Sequence, residues 1–448
     1  MQTKIPLNLL AGRRQKIFSL MQKASALVLF SNSFTARNAD VDYSFRQDSN
    51  FWYTTGFNEA DSILVLKKDF SGEENEYLYI LPKDKTMEIW TGTRAGRSLA
   101  AEITGIKNVF ENDKFKASFS DIMKNTATIY TNFTGQSQIE LKEFVKNEVL
   151  QSQRRSATEN IQKIVKADTI LGKLRNIKDK WEIEQMRKSA EIACLAHNEG
   201  IKTIRNLVKS GKTVWEYQLE AELYKNFKYQ GCDWSYPAIV AGGKNACILH
   251  YLDNNQQLKP GELVLIDAGC EYNYYASDIT RVYPINGKFS QSQKIIYELV
   301  HSVNEACIAE IARPGATYKG YHEKSVELLT KGLIDLKILK GGIEENLEKK
   351  TYFDFYMHGI GHWLGLDVHD LSTYLDEDGR RVNTFFEPGM TVTVEPGLYF
   401  SPENENIPKE FRGIGIRIED DILKTKSGVE VLTKSLPKNL EEIEKLCS

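Results

Sequence analysis

Cysteine and histidine are scarce in this chain, and neither is arranged for the sites those residues most often build. The six cysteines among 448 residues, Cys194, Cys232, Cys247, Cys270, Cys307 and Cys447, never fall at C-x-x-C spacing. That excludes a zinc ribbon and a thioredoxin-type redox motif. Scattered thiols of this kind read as buried residues of a reducing compartment. Long apolar runs are also absent: no stretch approaches the ~18 residues that span a bilayer. The first residues, MQTKIPLNLLAGRRQKIF, lack an apolar segment followed by a small-residue cleavage site. The chain therefore reads as cytoplasmic, with no membrane partner. Positive charge is in no excess either. With 58 Lys+Arg against 61 Asp+Glu and a net charge of −3, there is no basic field to grip a phosphate backbone, so nucleic acid is excluded as a partner.

What is present is enough chain for two domains. Residues 1–175 mix short strands with helices. Ala26–Phe30 reads as a buried strand, Ile63–Leu66 and Tyr77–Leu81 as a hairpin with a long polar loop, and 138–150 and 157–172 as helices. This half has no histidine and no cysteine, so metal or thiol chemistry belongs to residues 176–448, unless the first half supplies only carboxylates. A boundary near Arg175–Asp179 is followed by a capping box, Asp179 with Glu182, opening a long helix with Ile183, Met186, Ala190 and Ala193 at helical spacing. A second box, Thr213 with Glu216, opens a helix that stops by Gly231. Strands follow at Ala238–Val240, Leu263–Asp267 and Asp278–Tyr283. The pattern then repeats. Ser290 and Gln293 cap a third helix, ending before Arg313-Pro314-Gly315, and a fourth runs from Tyr318 to Lys331. Strands return at Thr391–Glu395 and Ile414–Leu423, the latter joined to Glu430–Leu432 by a turn at Ser427-Gly428. Lys337–Lys350 is a charged surface insert. Two rounds of helix, helix and strands predict a duplicated α+β unit with a pseudo-twofold axis.

Alternation along these strands places polar residues where apolar ones are expected. Leu263, Leu265 and Asp267 share a face, as do Asp278 and Thr280. Tyr274-Tyr275 makes the stretch between the two aspartates look like a hairpin that brings them together. Thr391, Thr393 and Glu395 share another face, and Gly415, Arg417 and Glu419 a third. One such carboxylate is readily a solvated or capping residue; four are not, because each buried charge needs compensation. Three of the seven histidines, His358, His362 and His369, fall within twelve residues. The HxxxH spacing of His358 and His362 does not read as a zinc-protease helix, because Gly359, Gly361 and Gly365 each weaken a helix by ~1 kcal/mol. Glycines beside ligands suit an extended chain that approaches a metal or substrate closely. His250 lies in another apolar, strand-like run. Four carboxylates and one imidazole match the charge of two divalent ions and favour Mn2+, Co2+ or Zn2+ over a thiolate-loving metal. Two such ions lower the pKa of a shared water and offset the charge of an oxyanion, an arrangement for hydrolysis.

These residues carry a family resemblance. Leu-Ile-Asp267-Ala-Gly, Asp278-Ile-Thr-Arg, His358-Gly-Ile-Gly-His362, Val-Glu395-Pro-Gly and Arg417-Ile-Glu419 resemble the successive motifs of the pita-bread metallopeptidases, and within them those of the bacterial Xaa-Pro aminopeptidases. Phe45-Arg-Gln-Asp-Ser-Asn-Phe-Trp-Tyr-Thr-Thr-Gly-Phe57 is similar to that family's N-terminal domain, so the resemblance spans almost the whole chain. It implies an N-terminal mixed α/β domain (1–175), serving oligomerisation and closure of the site, and a pita-bread catalytic domain (176–448). It implies two divalent metal ions, most often Mn2+, held by Asp267, Asp278, His362, Glu395 and Glu419. Glu395 is also implied as general base, His250 and His369 as donors to the scissile carbonyl, His358 as the lining of the proline pocket, and Arg417 and Thr280 as residues that orient the ligands. Trp90 resembles a tryptophan that closes a neighbouring subunit's site, which implies a homo-oligomer, dimer or tetramer. Peptides with proline second are the implied substrates. The family's arginine-bearing stretch after His369 does not align here without a gap, leaving Arg380 and Arg381 as alternatives for the substrate contact. A prolidase shares the same ligands, but the N-terminal match and Trp90 favour the aminopeptidase. A non-catalytic pita-bread binding protein or a creatinase-like hydrolase does not call for the complete ligand set.

Overall fold

The computed structural model describes residues 4–133, 137–154, 161–372 and 383–448; Arg380 and Arg381 lie outside them. The chain divides into two units, one ending at Leu174 and the other running from Arg175 to Ser448.

The first unit is built on a six-stranded mixed sheet. Its centre is β1 (Ser25–Phe30), buried at every position, because its near-continuous apolar run has helices to face on both sides. The hairpin expected downstream is present as β2 (Ile63–Lys68) and β3 (Glu74–Ile80), with Ile63 opposite Tyr79 and Lys68 opposite Glu74. Asp69 closes its loop, one carboxylate oxygen accepting from Ser71 Oγ and from the Gly72 and Glu73 amides. With β4 (Asn108–Glu111), β5 (Thr128–Thr131) and β6 (Lys163–Lys166), the order across the sheet is β4-β3-β2-β1-β5-β6. Helix α1 (Leu7–Leu20) precedes the sheet. Helix α2 (Ser49–Thr55) starts where Asp48 accepts from the Phe51 amide. Helices α3 (Lys85–Thr91), α4 (Gly96–Thr104) and α5 (Phe115–Ile122) follow. The helix expected at 138–150 is α6 (Ile139–Arg154). The helix expected over 157–172 needs correction. Residues 163–166 form the edge strand β6, parallel to β5, and helix α7 begins only at Asp168 and ends at Asn176. The β-branched pair Ile164-Val165 meets an open sheet edge there, and pairing with it outweighs helical spacing.

In the second unit the capping box is as expected: Asp179 accepts from the Glu182 amide, and Glu182 accepts from the Asp179 amide, at the head of α8 (Lys180–Lys209). The second box is displaced. Trp215, not Thr213, is the N-cap of α9 (Glu216–Tyr229), and Gln218 closes the box by accepting from the Trp215 amide. Glu216 is thereby freed for a buried role. Strands β7 (Ile239–Gly242), β8 (Leu263–Asp267) and β11 (Thr280–Pro284) form an antiparallel sheet. The short hairpin β9 (Cys270–Tyr272) and β10 (Tyr275–Ala276) links β8 to β11. The second round repeats this order. Helices α10 (Gln291–Ala312) and α11 (Tyr318–Asp335) are followed by α12 (Ile343–Glu348), inside the charged insert. Then come β12 (Thr391–Val394), β13 (Gly397–Tyr399), β14 (Gly415–Arg417), β15 (Asp420–Thr425) and β16 (Gly428–Val431), before the terminal α13 (Leu440–Cys447). Strands β12, β15 and β16 make an antiparallel sheet, and β13 and β14 a separate ribbon. Both rounds share one hydrophobic core, so the duplicated α+β unit is a single packed body.

The expected continuous strand Ile414–Leu423 is two strands. The chain leaves the ribbon after Arg417 and joins β12 at Asp420. Between them, the Ile418 amide donates to Pro396 O (3.2 Å) and the Glu419 amide to Thr280 O (3.1 Å). That switch carries Glu419 to the seam between the two rounds.

Candidate metal centre and active site

Strand register assembles the acidic half of the site. Asp267 ends β8 directly opposite Thr280 on β11, and Asp278 sits two residues before Thr280, where the hairpin returns. Gly269 makes this return possible: a Cβ there would lie 1.8 Å from Ser277 O. The Tyr236 hydroxyl stands 2.6 Å from Asp267 Oδ1 and 2.5 Å from Asp278 Oδ1, so its one proton is shared between the two carboxylates.

The histidine segment is not helical; it runs extended beside β12. Thr393 N donates to His362 O (2.9 Å), Glu395 N to Ile360 O (2.8 Å) and Leu364 N to Thr391 O (3.1 Å). Gly361 permits this approach, since a Cβ would lie 2.1 Å from Thr393 O. His362 Nδ1 lies 3.1 Å from Trp363 O, which turns Nε2 to the acidic residues: 3.3 Å from Asp278 Oδ2 and 3.6 Å from Glu395 Oε1. Glu419 lies on the other side, with its Oε2 accepting from Thr280 Oγ1 at 2.6 Å.

Arg417 is buried among these acids. It donates to Asp267 Oδ2 (2.5 Å), Thr280 Oγ1 (3.1 Å) and the Tyr399 hydroxyl (2.9 Å). Having accepted from Arg417, Tyr399 donates to His358 Nε2 (2.9 Å), and His358 Nδ1–H then donates to Gly359 O (2.7 Å). This chain specifies one neutral tautomer of His358, and burial, with Arg417 nearby, lowers its pKa to about 3.

The electrostatics are those of a crowded acidic pocket. Burial, then Asp278, Glu395 and Asp267, push Glu419 well above the carboxylate range. Burial raises Glu395 to about 7, against the pull of His362 and Arg417. Burial also raises Asp267, opposed by Arg417. Burial acts on Asp278 in the same sense, but His362 outweighs it and the net shift is downward. Burial disfavours charge on His362 as well, yet Asp278 and Glu395 lift it to about 9. Mutual repulsion of this kind is what a cation relieves. Asp278, His362 and Glu419 each offer a ligand atom within 4.8 Å of the others. Oxygen donors with one imidazole suit a divalent first-row metal.

These groups line a cavity of about 510 Å³ together with Tyr236, Leu249, His250, Leu252, His358, Val368 and His369. His369 reaches it with its ring 4.2 Å from that of His362. His250 also reaches it, but not from a strand. It occupies an exposed turn after the 3-10 helix Gly243–Cys247, because Gly243 (φ 53°) breaks the extended run. Trp90 is not among the lining residues; it lies on α3 of the first unit with 81% of its surface exposed. Sequence reading missed Tyr236 and Tyr399, two of 21 tyrosines with no motif around them. It also missed Asp421, a buried carboxylate that accepts from the Asp278 amide at 3.2 Å. Asp370 went unnoticed too. It is buried between Arg175 (2.5 Å) and Lys178 (3.0 Å) and anchors the segment bearing His369. An aspartate next to a histidine in Val-His-Asp was the available signal.

A buried cluster of four carboxylates and a histidine, of which Asp278, His362 and Glu419 come close enough to share a cation, on a duplicated α+β scaffold has the make-up of a metallohydrolase site. The family comparison makes this specific: residues 184–426 match the model of metallopeptidase family M24, and residues 10–130 that of the aminopeptidase P N-terminal domain. The chain belongs to metallopeptidase family M24. It is 40% identical over 444 residues to an Xaa-Pro aminopeptidase of Haemophilus influenzae, covering 99% of this chain and 98% of that one. It is 38% identical to the Xaa-Pro aminopeptidase of Escherichia coli, covering 97% and 96%. Among solved structures, E. coli aminopeptidase P with the inhibitor Pro-Leu superposes with a TM-score of 0.89 at 37% identity, covering 99% of both chains. The Pseudomonas aeruginosa aminopeptidase PepP gives 0.90 at 38%, covering 99% and 98%. A zinc-substituted form of the E. coli enzyme in complex with product is also similar, with a TM-score of 0.88.

Proposed function

We propose that this chain is an Xaa-Pro aminopeptidase, a metal-dependent exopeptidase that releases the first residue of a peptide whose second residue is proline. The observation that carries this reading is the convergence of Asp267, Asp278, His362, Glu395 and Glu419 on one cavity, in a chain alike throughout its length to Xaa-Pro aminopeptidases. In our reading these five side chains hold two divalent ions, most readily Mn2+, with Co2+ or Zn2+ as alternatives. When bound, the ions supply Lewis acidity, lowering the pKa of the attacking water and offsetting the charge of the tetrahedral oxyanion.

The chain's own residues do the rest. The acidic pocket receives the substrate's free α-amine, which restricts cleavage to the first bond. Glu395 takes the proton of the attacking water and returns it to the leaving proline nitrogen. His250 and His369 donate to the scissile carbonyl and its oxyanion. A bond to proline carries no N–H and has a fixed φ, so it is recognised by ring shape. His358, held by Tyr399 and Gly359, forms the wall that reads the ring. Arg417 and Thr280 hold the ligating carboxylates in place. The first domain serves oligomerisation, as a dimer or tetramer, with the exposed Trp90 closing a neighbouring subunit's site. The enzyme works in the cytoplasm.

The test compares turnover of Xaa-Pro-Xaa, Xaa-Ala-Xaa and Xaa-Pro peptides before and after chelation, with metal analysis of the purified protein. Metal-dependent cleavage of the proline tripeptide, exceeding that of the dipeptide, is expected. Full activity in metal-free protein overturns the reading; preference for the dipeptide converts it to a prolidase.

A further inference from the structure

We propose that Glu216, which does not line the catalytic cavity, is the positioning residue for His250. The inference rests on the reading of His250 as a donor to the scissile carbonyl. Among the described residues the His250 imidazole has no hydrogen-bonding partner, so its placement depends on the path of the main chain that carries it. Ala246, Tyr251 and Asn254 are buried along that path, but Ile248, His250 and Leu252 are exposed, so the turn bearing the ring is held through its flanks. The segment from Gly242 to Gln257 is a wall between two open spaces. Leu249, His250 and Leu252 face the catalytic cavity. Gly242, Lys244, Asn245 and Gln256 face a second cavity of about 720 Å³.

One side chain ties the wall together. Glu216 is 0% exposed, and four neutral donors from the segment converge on its carboxylate. Oε1 accepts from the Gly242 amide (2.7 Å) and Asn245 Nδ2 (3.1 Å). Oε2 accepts from the Tyr251 hydroxyl (2.8 Å) and the Gln256 amide (2.8 Å). The Glu216 amide in turn donates to Gln256 O at 3.0 Å. The start, middle and end of the segment are thus pinned to a single group at the head of α9. Tyr251, the neighbour of His250, is one of the pins. A carboxylate is the side chain that can accept all four bonds; a carboxamide cannot. In Glu216→Gln, either orientation of the amide turns an N–H toward a backbone N–H, of Gly242 or of Gln256, and that donor loses its acceptor. A shift of about 1 Å in a positioned group suppresses turnover by as much as about 100-fold.

The experiment is a double-mutant cycle on kcat/KM for an Xaa-Pro-Xaa peptide with the metal-loaded enzyme, made with Glu216→Gln and, separately, with Tyr251→Phe. Each is measured alone and in a His250→Ala background, and bound metal is quantified throughout. We expect a loss of about tenfold for Glu216→Gln and about threefold for Tyr251→Phe. Both losses shrink below about twofold once His250 is absent, with metal content unchanged. A loss of equal size in both backgrounds means a general structural role and overturns the proposal, as does full activity of the single variants. Where Glu216→Gln does not fold, Tyr251→Phe decides the matter alone. If His250→Ala itself retains full activity, the role of His250 fails and the positioning role with it. If His250→Ala is impaired but the cycle shows no coupling, only the positioning role fails.

Discussion

Removing the Tyr236 hydroxyl isolates one contribution to the acidic cluster. In Tyr236→Phe the ring stays in place and one O–H is lost from between Asp267 Oδ1 (2.6 Å) and Asp278 Oδ1 (2.5 Å). A hydrogen bond to a charged acceptor contributes about 1.5–3 kcal/mol. Metal ligands that lose an orienting partner typically lose about 10–100-fold in affinity, or about 1.4–2.8 kcal/mol. The two ranges agree, because holding two mutually repelling carboxylates in a ligating geometry is the work the hydroxyl does. We therefore expect metal to bind the variant about 10–100-fold more weakly. Calorimetric titration of the metal-free protein with Mn2+ and Zn2+ measures this, with activity in metal-buffered solution as the second readout. Arg417 still braces Asp267, so activity should return when excess metal is supplied. An affinity unchanged to within about twofold would falsify the assignment of Tyr236 as the brace of this pair, as would an activity that saturating metal does not restore.

Three further outcomes are expected. Glu395→Gln should keep its circular dichroism spectrum and lose at least about 100-fold in kcat, the usual contribution of a positioned acid–base group; near-normal turnover would remove it from the mechanism. Asp420 is fully buried and holds Arg281 (2.7 Å), Lys438 (2.8 Å) and Thr433 (2.6 Å). Asp420→Ala leaves the buried Arg281 without its carboxylate, while Lys438 keeps Glu305 (2.6 Å), and should destabilise the catalytic unit by about 3 kcal/mol in urea unfolding; a change under about 1 kcal/mol would contradict this. His197 is buried with Nε2 3.0 Å from Ala268 O, and burial lowers its pKa to about 4 from an ordinary 6.5. The folded state holds the neutral ring, so this contribution is complete above pH 6.5 and is lost as the pH falls toward 4. Between pH 7 and pH 4.5 the parent protein should lose about 2.5 kcal/mol more stability than His197→Gln; equal losses would show that His197 ionises freely in the fold.

Much of the site could be read before any coordinates, for a local reason. Alternation along a strand is a property of the backbone, so the polar residues at Asp267, Thr280, Glu395 and Arg417 announce a polar face wherever those strands pack. The capping boxes at Asp179 and Ser290 are equally local, satisfied within one helical turn. The glycines around His362 rule out a helix by propensity alone. Elsewhere, local pattern misled. Residues 163–166 have helical spacing but pair with an open sheet edge. Ile414–Leu423 has one unbroken alternation, yet it exchanges one sheet for another at Glu419. Thr213 stands at capping distance from Glu216, but Trp215 is the cap and Glu216 holds a loop more than 25 residues downstream. His250 has strand-like neighbours and stands on a turn.

By itself, then, the sequence determined the kind of donors, their order along the chain and the repetition of helix, helix and strands, because these follow from periodicity and propensity. Only the tertiary structure decided which donors meet and what holds them. Tyr236 between two aspartates, Arg417 among four acids, Asp370 between two cations and Glu216 under the His250 turn join residues 31 to 195 positions apart or bind a loop to a helix head. Such contacts depend on how sheets and helices pack in space, and no local pattern records them.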